Sequence, residues 1–326
     1  MRRVLLALNC AAALACGGEP TAPNTSPTSI RLRSDAEDFV GSGHTYEYSL
    51  ANAIVLVSAR IDTFAIYIRG DEAWTGVFTI PSSRARLKPG FYAGATRFVF
   101  GNNPDQTQLS WFGEYGCVKL TGAFIIDGVS YTGTALTAID LSFEQHCEGA
   151  PAALHGTVHW RADDPTRPPG PVNPVPAGLW QPAPGETPTG VNYVYMRSDS
   201  GDPIGASRTW LYTVANAALA VGSSAGAVSV SVGTTKPGEW WDGGFSPMNS
   251  VNTLQVGYYP DAGSVNPTKG SFGWSGSGRG CNRVQGWFAV DHLTLSADTV
   301  KALDVRFEQH CDGATPALHG AIHWVR

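Results

Sequence analysis

Apolar and polar residues alternate with period two along most of the chain. Tyr46, Tyr48 and Leu50 take every second place in one run, and Trp210, Tyr212 and Val214 do the same 164 residues later. Phe64, Ile66 and Ile68 correspond in this way to Val228, Val230 and Val232, and Leu120, Phe124 and Ile126 to Val284, Phe288 and Val290. Period two puts successive side chains on opposite faces of an extended strand, one face packing inward and the other meeting water. Turn clusters such as GNNPDQ and PDAGSVNPTKG separate the runs, and no stretch keeps a helical period beyond a turn or two. The pattern predicts an all-β chain, with eight or so short strands in each stretch of about 130 residues. An antiparallel β-sandwich of jelly-roll or immunoglobulin-like type fits that count.

The alternation is written twice. FEQHCEGAPAALHGTVHW begins at Phe143 and FEQHCDGATPALHGAIHW at Phe307, with 13 identities in the 19 positions that start at Ser142 and Arg306. The same shift aligns RSDAEDFVGSGHTYEYSLANA, from Arg33, with RSDSGDPIGASRTWLYTVANA, from Arg197, without a gap. A unit this long can own a core, so the expectation is a whole-domain duplication rather than a solenoid. Between the copies lies DPTRPPGPVNPVPAG, whose six prolines favour a semi-rigid, extended spacer. The expected organisation is two tandem sandwiches, residues 29–162 and 179–326, joined by a Pro-rich linker at 163–178.

The N-terminus changes where such a chain belongs. MRRVLLALNCAAALAC has two arginines, an apolar run from Val4 to Ala15 and small residues before Cys16, the layout of an export signal over residues 1–15. The run is too short to span a bilayer as a helix. Ala13, Leu14, Ala15 and Cys16 resemble the lipobox of bacterial lipoproteins, which implies lipidation of Cys16 and attachment to the cell envelope; the other reading is a cleaved signal with an incidental cysteine. Residues 16–28, rich in Gly, Pro, Ser and Thr, read as a tether.

Composition narrows the partners. Charged residues are 15% of the chain, the formal charge is −5, and no Lys/Arg run exists. That removes the electrostatic term on which nucleic-acid binding depends. The membrane would be reached through a lipid anchor alone.

Beyond Cys10 and Cys16, each copy carries two cysteines thirty residues apart. Four cysteines allow three pairings. Duplication selects Cys117 with Cys147 and Cys281 with Cys311, since an ancestral single unit had to satisfy its own pair, and export provides an oxidising compartment. Each bridge should contribute about 3–4 kcal/mol on the chain-entropy model.

His146, His155 and His159, with His310, His319 and His323, raise the question of zinc. His155 and His159 flank Gly156, Thr157 and Val158, a strand-forming stretch that turns both imidazoles outward. Four residues along a strand span roughly 13 Å, whereas zinc holds its nitrogens at about 2 Å. One strand cannot chelate through both, and a surface ladder of hydrogen-bonding side chains is expected, with His146 across a hairpin from His155. Ser34, Asp35 and Asp38, ending in Gly41, recur as Ser198, Asp199 and Asp202, ending in Gly205. These carboxylates could begin a calcium shell, but capping of a turn explains them more simply. No cofactor or metal is expected.

No GxSxG, HExxH or P-loop is present, and a glycosidase carboxylate pair has no sequence mark. Trp240 and Trp241 in KPGEWWDGG point to opposite faces if the stretch is extended, so one of them is a candidate for stacking on a sugar ring. Trp74 stands at the matching place in the first copy, and Trp111 and Trp274 read as core. The FEQHC…LHGxxHW tail resembles that of secreted and lipid-anchored bacterial proteins to which no activity is attached, and the likeness covers most of both copies. It implies an export-linked β module and assigns no functional residue. The expected function is non-catalytic binding of a carbohydrate or protein partner at the cell envelope. A secreted hydrolase acting on polysaccharide and a structural envelope protein are the alternatives.

Overall fold

The computed structural model describes residues 27–84, 86–99, 104–263 and 266–326, so Cys16 and the leader lie outside the described residues. Among the described residues the chain is nearly all β, with one 3₁₀ turn at Ser82–Arg84 and no α-helix. The first half forms β1 (Ser29–Ser34), β2 (Thr45–Ser49), β3 (Ile54–Ala59), β4 (Thr63–Arg69), β5 (Ala73–Thr79), β6 (Gly90–Arg97), β7 (Gln108–Phe112), β8 (Leu120–Thr132), β9 (Ala135–Cys147) and β10 (Ala153–Arg161). The second forms β11 (Tyr193–Ser198), β12 (Thr209–Thr213), β13 (Ala218–Ser224), β14 (Ala227–Gly233), β15 (Trp240–Ser246), β16 (Gly257–Gly263), β17 (Ser271–Gly276), β18 (Val284–Ser296), β19 (Thr299–Cys311) and β20 (Ala317–Val325).

Each half thus has ten strands rather than the expected eight. The glycine-broken run WWDGGFS stays extended, and Gly243 in it serves packing: a Cβ there would lie 1.8 Å from the Trp274 ring. Leu50 and Val214, by contrast, fall just beyond β2 and β12, and Val214 is exposed.

Three sheets result. In the first half all ten strands form one sheet in the order β2-β1-β10-β9-β8-β6-β7-β5-β4-β3. Its two portions join where β6 runs parallel to β7 at Thr96↔Gln108 and Arg97↔Leu109. In the second half the corresponding strands form a six-stranded sheet, β12-β11-β20-β19-β18-β16, and a four-stranded sheet, β13-β14-β15-β17. The remaining pairings are antiparallel.

One apolar cluster in the second half draws Met196, Phe288 and Phe307 from the six-stranded sheet and Val230, Trp241 and Trp274 from the four-stranded one. In the first half, Leu32, Phe124 and Phe143 meet Ile66, Phe78 and Trp111. The inward phase read from the sequence is the buried one: Phe64, Ile66, Ile68, Val228, Val230 and Val232 are all 2% exposed or less.

Cys117–Cys147 and Cys281–Cys311 are both disulfides, with Cα–Cα distances of 4.9 and 5.1 Å, inside the range a bridge requires. The linker prolines leave one ladder contact, an antiparallel bridge between Val172 and Tyr258 on the free edge of the six-stranded sheet. The Asp71 carboxylate, in the β4–β5 turn, accepts from Asn266 Nδ2 at 3.1 Å and pairs with Lys269 Nζ at 3.0 Å.

Candidate functional site

The twice-written tail divides cleanly by face. Along β9, Phe143, Gln145 and Cys147 point inward, and Phe307, Gln309 and Cys311 do so along β19. The buried amide of Gln145 donates to Trp111 O at 2.8 Å and accepts from Trp111 N at 2.8 Å. Gln309 makes the same pair with Trp274, at 2.9 and 2.7 Å. Each glutamine thus supplies both hydrogen bonds that an opposing tryptophan's backbone would otherwise lack in the core. Each Trp stacks on the tail phenylalanine, Trp111 on Phe143 at 5.0 Å and Trp274 on Phe307 at 5.5 Å. The glycine of LHG completes the fit, since a Cβ on Gly156 or Gly320 would lie 2.0 or 2.1 Å from that phenylalanine ring. The turn between the strands also follows from sequence. Glu148 and Gly149, like Asp312 and Gly313, have positive φ, the pair of left-handed residues that a tight hairpin turn needs.

The outward residues build a chain of carboxylates and imidazoles. Glu144 lies between two histidines, 3.0 Å from His146 Nε2 and 3.4 Å from His155 Nδ1, and Asp35 lies 3.6 Å from His155 Nε2. Glu308 sits in the same way 3.3 Å from His310 and 3.3 Å from His319, with Asp199 at 3.3 Å from His319. His159 and His323 pair with Asp140 and Asp304 at 2.5 and 2.6 Å. His146 is across from Ala153, not His155, in the hairpin register, and His155 is across from Glu144. The imidazoles therefore face carboxylates instead of each other. The hydrogen bond to Glu144 holds the His146 pKa above the ordinary histidine value despite partial burial. Among the described residues no group of three or more His, Cys, Asp and Glu side chains is arranged to hold a metal ion.

The acidic turns cap themselves. Asp38 accepts from Ser34 Oγ at 2.8 Å and Gly41 N at 2.7 Å, and Asp202 from Ser198 Oγ at 2.7 Å and Gly205 N at 2.8 Å. Asp35 and Asp199 accept from Ala153 N and Ala317 N, fastening the tail hairpin to the end of β1 or β11. The Ala153 hydrogen bond leads the effects that lower the Asp35 pKa.

The adjacent indoles do point to opposite faces. Trp241 is fully buried and donates from Nε1 to Tyr212 Oη at 2.9 Å, whereas Trp240 is 43% exposed. Trp241 therefore offers a ligand no surface, and the pair reduces to Trp240. Trp74 is the counterpart of Trp241, not of Trp240: it donates to Tyr48 Oη at 2.9 Å. Burial pushes the Tyr48 and Tyr212 hydroxyls up to about 12, against the opposing effect of these hydrogen bonds. The place of Trp240 in the first half belongs to Ala73, opposite Arg69 as Trp240 is opposite Gly233. Trp111 and Trp274 are core residues, each 1% exposed.

A different aromatic surface lies in the first half, where sequence reading did not find it. Leu56, Tyr67, Thr75 and Phe112 stand in cross-strand register on β3, β4, β5 and β7. Leu56, Tyr67 and Phe112 are 59%, 45% and 40% exposed. Two strand spacings, about 9.5 Å, separate Tyr67 from Phe112. Beside them Arg69, Glu72, Ala73 and Glu114 help line a groove of 450 Å³. The corresponding row of the second half is Ala220, Ser231, Asp242 and Ser275. The signal was available: Tyr67 and Phe112 hold the outward phase of strands whose inward phase was legible, and the second copy has serine at both places.

The chain matches no protein-family model, no curated protein and no solved structure.

Proposed function

We propose that the chain is a non-catalytic lipoprotein of the bacterial cell envelope that binds a carbohydrate through the Tyr67–Phe112 face. On this reading residues 29–162 and 179–326 are two tandem β-sandwich domains, residues 16–28 are the tether, and Cys16 carries the lipid. Strand pairing that stays within each half and one apolar cluster per half support the domain division.

The observation that carries the binding function is the pair of exposed rings, Tyr67 and Phe112, two strands apart on a sheet face flanked by Arg69, Glu72 and Glu114. Flat rings supply apolar area for the C–H faces of pyranoses at little entropic cost, while charged and amide groups at the rim satisfy sugar hydroxyls. Large exposed apolar side chains gathered in one register mark an interaction surface. Trp240 offers a lone indole on the second half.

A glycan array probed with the purified protein tests the reading. Binding that falls at least about tenfold in Tyr67→Ala and in Phe112→Ala, with Trp240→Ala affected less, is the expected result. Turnover of a bound polysaccharide would replace it with the hydrolase. Incorporation of labelled fatty acid that disappears in Cys16→Ser tests the anchor separately.

A further inference from the structure

The outer face of the six-stranded sheet in the second half is covered by the chain's own linker. Val172 pairs with Tyr258 through two backbone hydrogen bonds, at 2.8 and 2.9 Å, and eight residues later Trp180 settles over β20 and β11. The Trp180 indole stacks on His319 at 5.0 Å and lies nearly parallel to Tyr195 at 6.4 Å. The Arg197 guanidinium sits 5.4 Å from its ring centre, and Arg306 Nη1 donates to Trp180 O at 3.0 Å. His319, Tyr195 and Ala321 are buried beneath it, whereas His155, Arg31 and Thr157 at the matching places are not.

The first half has a related socket, with Arg31 in place of Tyr195 and no occupant among the described residues. Arg33, His155, Gly156 and Phe143 stand where the second half has Arg197, His319, Gly320 and Phe307. With Arg31, Ser142 and Thr157 they line an open groove of 410 Å³. The register row crossing it runs Arg31, Thr157, Ser142, Ile125 and Phe91. Phe91 and Ile125 occupy the places of Tyr258 and Ala289 and are 65% and 40% exposed. Residues 1–28 contain no Phe, Tyr or Trp that could fill the socket as Trp180 fills its own.

We propose that this face of the first half binds a proline-rich, tryptophan-bearing extended segment of another protein, in the manner of residues 169–184 on the second half. The indole would stack between Arg33 and His155 over Gly156, and an apolar residue about eight positions before it would lie at Phe91 and Ile125. Cation–π and stacking contacts of this kind hold planar rings, and a proline-rich segment loses little entropy on docking. Ser142 replaces Arg306, so the segment's backbone has no guanidinium anchor there and affinity rests on the ring.

The test is titration of the isotopically labelled chain with a synthetic peptide of residues 169–184, followed by NMR and calorimetry. One bound peptide is expected, with amide shifts centred on β1, β9 and β10. A peptide with alanine for tryptophan, and the protein variants Arg33→Ala and His155→Ala, should each weaken binding at least tenfold. The variant Trp180→Ala frees the second socket and should bind two peptides. The proposal is overturned if the wild-type protein binds none while Trp180→Ala binds one, if neither binds, or if both first-half variants bind as wild type does. Concentration-dependent self-association that vanishes in Trp180→Ala would also overturn it, assigning the socket to a second copy of the chain.

Discussion

The two halves of the chain are nearly interchangeable inside and unlike outside. Phe143, Gln145, Cys147 and Gly156 in the first repeat the contacts of Phe307, Gln309, Cys311 and Gly320 in the second, down to a glutamine amide clamped on a tryptophan backbone. Outside, Leu56, Tyr67 and Phe112 in the first half face Ala220, Ser231 and Ser275 in the second. The linker covers His319 but leaves His155 open. Interiors are close-packed, and a change of one methylene is felt, whereas an outward side chain on a sheet answers mainly to solvent and to whatever binds it. The binding face proposed above lies where the two exteriors differ.

Removing the shared interior should harm both halves alike, and by the largest amount. Phe143→Ala and Phe307→Ala each delete a fully packed ring under a tryptophan, and each should cost about 3–5 kcal/mol by denaturant unfolding. A difference of more than about 2 kcal/mol between them would break the claim of equivalent cores. Opening one bridge, with Cys117→Ala and Cys147→Ala or with Cys281→Ala and Cys311→Ala, should cost about 3–4 kcal/mol in either half, since both loops close thirty residues.

Exchanging the exteriors sharpens the comparison from the other side. Ser231→Tyr with Ser275→Phe writes the aromatic pair onto the second half, and glycan binding should appear there with stability changed by less than about 0.5 kcal/mol. If the grafted pair folds but binds nothing that the first half binds, the rings alone do not make the site and the Arg69, Glu72 and Glu114 rim is required.

The smallest effects are electrostatic and depend on pH. Glu144 raises the His146 pKa, so the folded state binds that proton more tightly than the unfolded chain. Its stabilising contribution is full below the unfolded value, near 6.5, and disappears as pH rises through the higher folded value. Glu144→Gln should flatten that slope. For Asp71, burial raises the pKa, but the hydrogen bonds from Asn266 and Lys269 and the nearby Lys269 and Arg283 charges outweigh it, and the net shift is downward. Its contribution is present above the unfolded value, near 3.8, and is lost as pH falls through the lower folded value. Asp71→Asn should remove this acid-side slope together with the stabilisation it supplies at neutral pH, which is small because the Asp71 side chain is 61% exposed.

The strands, the inward phase and the cysteine pairing were legible because each is a local or repeat-level property. Val228, Val230 and Val232 can face inward only at one phase, and the duplication left one sensible partner for Cys117. The aromatic row was not legible, because Leu56, Tyr67 and Phe112 come from separate strands and meet only through the register of the β3, β4, β5 and β7 ladders. Trp241 read as a candidate for exposure because two adjacent tryptophans on a strand look alike from sequence. Which one is inside follows from the alignment of Tyr212 beneath Trp241. The histidine ladder was foreseen in kind, yet its partners were not, since a two-residue difference in hairpin register decides whether His155 meets another imidazole or Glu144.

Sequence alone established an all-β chain written twice, two disulfides within the repeats, and an interior built from alternate residues, because strand periodicity and repeat spacing are carried by near neighbours and by comparison of the copies. Tertiary structure alone decided that the glutamine of FEQHC clamps a tryptophan backbone, that Trp180 packs over His319 while nothing described covers His155, and that two distant rings share a face. Those outcomes depend on ladder register and on the path of a linker across a sheet, and such long-range pairings leave no periodic trace in the chain.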